Sequence, residues 1–286
     1  MRPRSVDVLS VVLAIAASGL LLYVFAGSPT AKSQVADYNN SGLGYYDKGD
    51  YDRAIADFDK AIAIDQNCAE VHNNRGLAYA MKGDYDRAIA DYDRAITMNP
   101  SYSAPYKGRG LAYSNKGNYA RAIADFDKAI TLSPTDPEAY VGRGIAYSSK
   151  GDYTHAIADC DRAISLNPSY AYAYTGRGYA YHGKGDYTQA IADFDKAISL
   201  NPKDPAAYCG RGLTYSDKGS NRRAIADCDR AVQLNPNLAG PYFNRGVCYI
   251  MLGKTDAARR DLQKAVELDP GGTVGREARK SLANLH

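Results

Sequence analysis

The chain has 286 residues, 35 Lys and Arg against 32 Asp and Glu, 25 Tyr, 5 Cys, 4 His and no Trp. A formal charge of +3 over this length argues against the broadly basic surface that a nucleic-acid or polyanion partner requires. The histidines fall in different phases and the cysteine count is odd, so neither offers the spacing of a metal-ligand set.

Residues 1–7 carry Arg2 and Arg4 ahead of an uncharged apolar run over 8–27. Twenty helical residues extend about 30 Å, the depth of a bilayer core, which exceeds the apolar segment of a removable signal peptide. The expectation is a single transmembrane signal-anchor. Cleavage after Ala26, releasing a secreted product, is the alternative. Two arginines before the run and Lys32 after it direct the N-terminus to the cytoplasm, leaving the rest of the chain extracytoplasmic, or periplasmic in a bacterium. Residues 28–34 read as a polar linker.

From residue 35 the same landmarks return every 34 residues. Gly76 recurs as Gly110, Gly144, Gly178, Gly212 and Gly246, and Pro100 as Pro134, Pro168, Pro202, Pro236 and Pro270. This divides the chain into copies over 35–68, 69–102, 103–136, 137–170, 171–204, 205–238 and 239–272, followed by 273–286. A fixed period of this size marks a repeat array. Within 69–102, Val71, Leu77, Ala78 and Tyr79 lead one half; Ala88, Ile89, Tyr92, Ala95 and Ile96 fall at helical spacing in the other. Gly83 between them suits the left-handed residue past a helix end, and Asp84 the N-cap of the next helix. The proline stops the second helix. Each copy is therefore expected to be a helical hairpin, which buries its apolar stripe only by stacking on neighbours. Val274, Ala278, Leu282 and Leu285 predict a capping helix at the end of the stack.

These residues, Gly76, Tyr79, Ala88, Tyr92, Ala95 and Pro100 in the second copy, resemble the tetratricopeptide repeat family over roughly residues 35–272. His72 stands where Tyr106, Tyr140 and Tyr174 supply the family's usual aromatic. The resemblance implies an all-α fold: a right-handed α-solenoid of antiparallel helix pairs, with its first helices lining a concave face that binds other proteins or peptides. By phase that face comprises Asn73, Leu77, Lys107, Leu111, Val141, Ile145, Tyr172, Thr175, Tyr179, His182 and Leu213, with Asn74 at a polar edge. Its central phase is aliphatic and lacks the basic, asparagine-rich set that grips a C-terminal carboxylate elsewhere in the family. An extended peptide or amphipathic helix fits such a surface, although leucines at that phase also serve to support the adjoining helix. Tyr172, Tyr179 and His182 make the fifth copy the most distinctive.

Every copy but the first has an arginine before the repeat glycine, and every copy has an aspartate in its second helix. Pairing each aspartate with the arginine of the following copy gives Asp57–Arg75, Asp91–Arg109, Asp125–Arg143, Asp159–Arg177, Asp193–Arg211, Asp227–Arg245 and Asp261–Arg279. Such a ladder would fix register between copies; pairing within a copy is the rival arrangement. No paired-histidine zinc motif, phosphate loop or nucleophile elbow appears, so no enzyme activity, cofactor or metal is expected. In an oxidising compartment Cys228–Cys248 is a candidate bridge, and plain core packing the other reading. The function expected is a membrane-anchored protein-interaction scaffold. Its alternatives are a chaperone-like carrier of apolar unfolded segments during envelope assembly, or a non-catalytic glycan-binding module that uses the tyrosines.

Overall fold

A computed structural model describes residues 29–285. The expected anchor over 8–27 lies outside them; among the described residues no helix is long and apolar enough to cross a membrane. They form fifteen α-helices and no strand. The chain divides into two units at Leu132–Ser133.

The first unit holds α1 (Pro29–Asp47), α2 (Tyr51–Ile64), α3 (Ala69–Met81), α4 (Tyr85–Met98), α5 (Ser103–Asn115) and α6 (Tyr119–Leu132). The second holds α7 (Pro137–Ser149), α8 (Tyr153–Leu166), α9 (Ala171–Lys184), α10 (Tyr187–Leu200), α11 (Pro205–Asp217), α12 (Asn221–Leu234), α13 (Ala239–Met251), α14 (Thr255–Leu268) and α15 (Thr273–Ala283). Helix α1 begins at Pro29, so most of the segment read as a linker is helical. A proline is tolerated in a first turn, where its missing N–H has no partner to lose.

Each hairpin is closed by its turn. Gly83 adopts φ +77°, Asp84 donates its backbone N–H to Tyr79 O, and its carboxylate caps α4 by accepting from Arg87 N at 3.1 Å. Helix α9 ends one residue later in its repeat than the other first helices, at Lys184, and is followed by left-handed Gly185.

Within each unit every helix packs on its chain neighbours, and first helices also touch the next first helices: α3 on α5, and α9 on α7 and α11. They therefore occupy the crowded inner side of each stack. Aromatic residues of the second helices fill the crossings. Fully buried Tyr92 lies between Gly76 of its own hairpin and Gly108 of the next; a Cβ at either glycine would stand 2.9 and 2.5 Å from the ring. Cys160 takes this role in the fourth repeat, between Gly144 and Gly176.

Candidate interaction surface

The arginines and aspartates were expected to pair between repeats, and the structure corrects that register. Arg75 forks onto Asp91, sixteen residues ahead in its own hairpin, with Nε donating to Oδ2 at 2.8 Å and Nη2 to Oδ1 at 2.6 Å. Arg109–Asp125, Arg143–Asp159, Arg177–Asp193, Arg211–Asp227 and Arg245–Asp261 repeat this fork. Each arginine and its aspartate face each other across the helix crossing beside the repeat glycine, within one hairpin. The free Nη1 reaches back to a different aspartate of the preceding repeat, giving Arg75–Asp59, Arg109–Asp93, Arg177–Asp161, Arg211–Asp195 and Arg245–Asp229. Asp57, without an arginine, accepts from Ser41 and Lys60. Arg279 does not meet Asp261; it donates to the Pro270 carbonyl.

The two carboxylates of each set have different surroundings. Asp91 has 7 % of its side chain exposed and Asp59 has 52 %. Burial pushes the Asp91 carboxyl up, but hydrogen bonds from Arg75 and His72 and their charge outweigh it and hold the group below its ordinary value. The paired carboxylates raise the Arg75 guanidinium further above its already high value.

His72 replaces the aromatic of other repeats in function as well as in phase. Its Nε2 lies 3.1 Å from Gln66 O, matching the bonds from Tyr106 to Pro100 O and from Tyr174 to Pro168 O.

In the first unit, a chain of side-chain amides crosses the inner side. Asn39 donates to Glu70, Asn74 to Asn39 at 3.0 Å, and Asn73 to Asn74. A carboxylate can only accept, so Glu70 fixes the direction of the whole chain and leaves the Asn73 Oδ1, a buried acceptor, without a donor. Asn74 is buried here, not at an exposed edge. Leu77 and Lys107 are half-buried, and Leu111 is 46 % exposed.

In the second unit the distinctive tyrosine of the fifth repeat turns inward. The Tyr179 ring meets Phe194 edge-on with centroids 5.1 Å apart, and its hydroxyl donates to Ala206 O at 2.9 Å. Burial drives its pKa upward. Buried Thr175 donates to Asp204. His182 bonds Thr214 through Nδ1 at 3.1 Å with Asp217 3.4 Å from Nε2; desolvation lowers its pKa and the Asp217 charge only partly opposes this. Val141 is buried and Leu213 half-buried. Ile145 and Tyr172 are open to solvent, at 48 % and 53 %. Leu111, Ile145 and Tyr172 are thus the sequence-selected residues that offer apolar surface to a partner. All five cysteines are free; burial pushes the Cys160 thiol up to about 12 and Cys209 to about 11.

The aspartates at Asp59 and its equivalents escaped the sequence reading. A signal was present: their phase carries aspartate in six repeats and Gln263 in the last, and the Arg279 that follows turns to the Pro270 carbonyl instead.

Comparison with known proteins agrees with this architecture. Models described as tetratricopeptide repeat match residues 40–103, 137–170, 160–192 and 213–283, and one described as TPR repeat matches 110–151 and 178–219. No curated protein matches the sequence. Among solved structures, a tetratricopeptide repeat protein from Parabacteroides merdae is 22 % identical, with 88 % of this chain and 98 % of that one covered at a TM-score of 0.71. The Cut9–Hcn1 hetero-tetramer of APC/C is 17 % identical at a TM-score of 0.69, covering 92 % of this chain and 55 % of that one. A thermophilic TPR protein of Thermus thermophilus is 23 % identical, with 64 % and 98 % covered, at a TM-score of 0.58. At these identities the likeness concerns the fold. The repeat landmarks, the helical hairpins and the matches along the chain agree: this protein belongs to the tetratricopeptide repeat family.

Proposed function

We propose that the protein is a non-catalytic interaction scaffold that holds extended or helical segments of partner proteins against its first helices. One observation carries this reading. The hairpin crossings satisfy their own charges internally through the arginine forks, yet Leu111 and Ile145 remain about half exposed on first helices. Exposed aliphatic side chains on this side supply the apolar anchors that a docked peptide or amphipathic helix needs. Stacking fixes these residues in advance, so little ordering cost falls on the receptor when a partner docks. We further propose that the 8–27 segment tethers the chain to a membrane, with the repeats on the extracytoplasmic side; the length of that run and its flanking arginines support this.

The test is in-membrane crosslinking followed by capture of the full chain, repeated with Leu111→Glu, Ile145→Glu and Tyr172→Glu. A shared set of partners lost or depleted at least about tenfold in these variants is the expected outcome, since a buried charge in an apolar contact costs several kcal/mol. An unchanged set of captured proteins would rule out the first-helix side as the docking face.

A further inference from the structure

Successive hairpin turns form the walls of small clefts along one edge of each unit. In the first unit two of them are alike. One is lined by Lys48, Gly49, Asp50, Tyr51, Asp52 and Lys82, the other by the residues in phase with these, and each is an open groove of about 380 Å³. Lys82 pairs with Asp52 and Lys116 with Asp86, so an ion pair spans each cleft.

The cleft in the same phase between the sixth and seventh repeats is built differently. Gly219, Ser220, Asn221, Arg222, Arg223 and Leu252 line it, and it is an open groove of about 520 Å³. Residue by residue, Asn221 replaces the tyrosine, Arg222 the aspartate and Leu252 the lysine. The spanning ion pair has become a guanidinium beside an aliphatic side chain. Neighbouring Met251 is 68 % exposed and Leu252 38 %. Local folding does not call for this composition. The Lys-Gly-Asp of the second repeat is Leu-Gly-Lys here, and Lys254 leaves α14 without the side-chain cap that Asp84 gives α4.

The charge is unbalanced as well. Among the described residues Arg222 and Arg223 form no ion pair. Arg223 and Lys254 rest over the Tyr215 and Tyr249 rings, at 5.6 and 5.9 Å, on side chains that stay exposed. No acidic side chain lines the cleft; Asp217 faces His182, and Asp256 is exposed in the first turn of α14.

We propose that this cleft is a second docking surface, separate from the first-helix face, for an acidic segment of a partner polypeptide that carries an apolar side chain. Guanidinium groups match planar carboxylates with paired hydrogen bonds. Exposed methionine beside arginine is a composition that protein interfaces favour and free surfaces do not. A recess lined by arginines suits side chains that enter it more than it suits a flat bilayer.

The probe is a fluorescein-labelled peptide of repeating Glu-Glu-Leu, titrated by anisotropy against the full chain, with a Lys-Lys-Leu peptide as control. Saturable binding of the acidic probe is expected. It should weaken at least about tenfold in Arg222→Glu/Arg223→Glu and in Leu252→Glu, and remain within about twofold in Ile145→Glu. All these side chains are at least partly exposed, and circular dichroism checks that each variant folds. Four results would overturn the proposal: no binding of the acidic peptide, equal binding of the basic one, loss in Ile145→Glu but not in Leu252→Glu, or capture of phosphatidylglycerol vesicles in place of the peptide. The first-helix reading stands or falls separately, on its own variants.

Discussion

Glycine is costly inside a helix, worth about 1 kcal/mol against alanine, so a helix that keeps one at a crossing has a packing reason. At Gly108 the reason is Tyr92, whose ring leaves no room for a Cβ. At Gly176 the neighbour is Cys160, and a Cβ would stand 3.2 Å from its sulfur, a contact that a small shift relieves. The same substitution should therefore differ between the two sites. Gly108→Ala is expected to lower stability by about 1–3 kcal/mol through overpacking. Gly176→Ala should stay within about 0.5 kcal/mol of the parent, because the gain in helix propensity offsets the tighter contact. Thermal unfolding of the two variants side by side measures this; equal losses would mean that the second-helix residue does not set the crossing distance.

At the scale of the element, the arginine fork is what distinguishes these hairpins. Its sheltered arm holds the two helices of one repeat, and its exposed arm reaches the repeat before. Arg109→Ala leaves Asp125 buried without its counter-charge, which costs about 3 kcal/mol. Asp93→Ala removes only the half-exposed arm and should cost about 0–1 kcal/mol. Urea unfolding distinguishes them, and a larger loss for Asp93→Ala would reverse the assignment of the two arms. The hairpins themselves were legible in the sequence, because period, turn glycine, cap and proline all pointed to the same boundaries. The pairing was not. Two aspartates two residues apart, such as Asp57 and Asp59, lie on different sides of one helix, and the period alone does not tell which side meets the arginine. Asp57 has no arginine in its own repeat, and Ser41 and Lys60 take that place; in the last repeat Gln263 stands where the exposed aspartate would be. The face residues were legible only in part. Phase placed Leu111 and Tyr179 alike, but Tyr179 is long enough to reach the Ala206 carbonyl and turns inward to do so.

In a whole repeat array, stability is close to a sum of hairpin and nearest-neighbour contributions, so the ends matter more than their size suggests. Here Ala278, Val274 and Leu282 of α15 cover Leu262, which is fully buried. Removing residues 273–286 should expose that leucine, lower the stability of the second unit by about 2–3 kcal/mol, and speed amide exchange most in α13 and α14. Exchange mapped residue by residue is the check; uniform acceleration throughout the second unit would mean that the unit unfolds as one block. The shared guanidinium carries one more implication. Its half-exposed arm is weakened by dissolved ions, while the arm beneath it is largely shielded from them. Rising ionic strength should therefore loosen the seams between neighbouring modules before it disturbs any module, giving a protein whose pliancy is tuned by the saltiness of its surroundings.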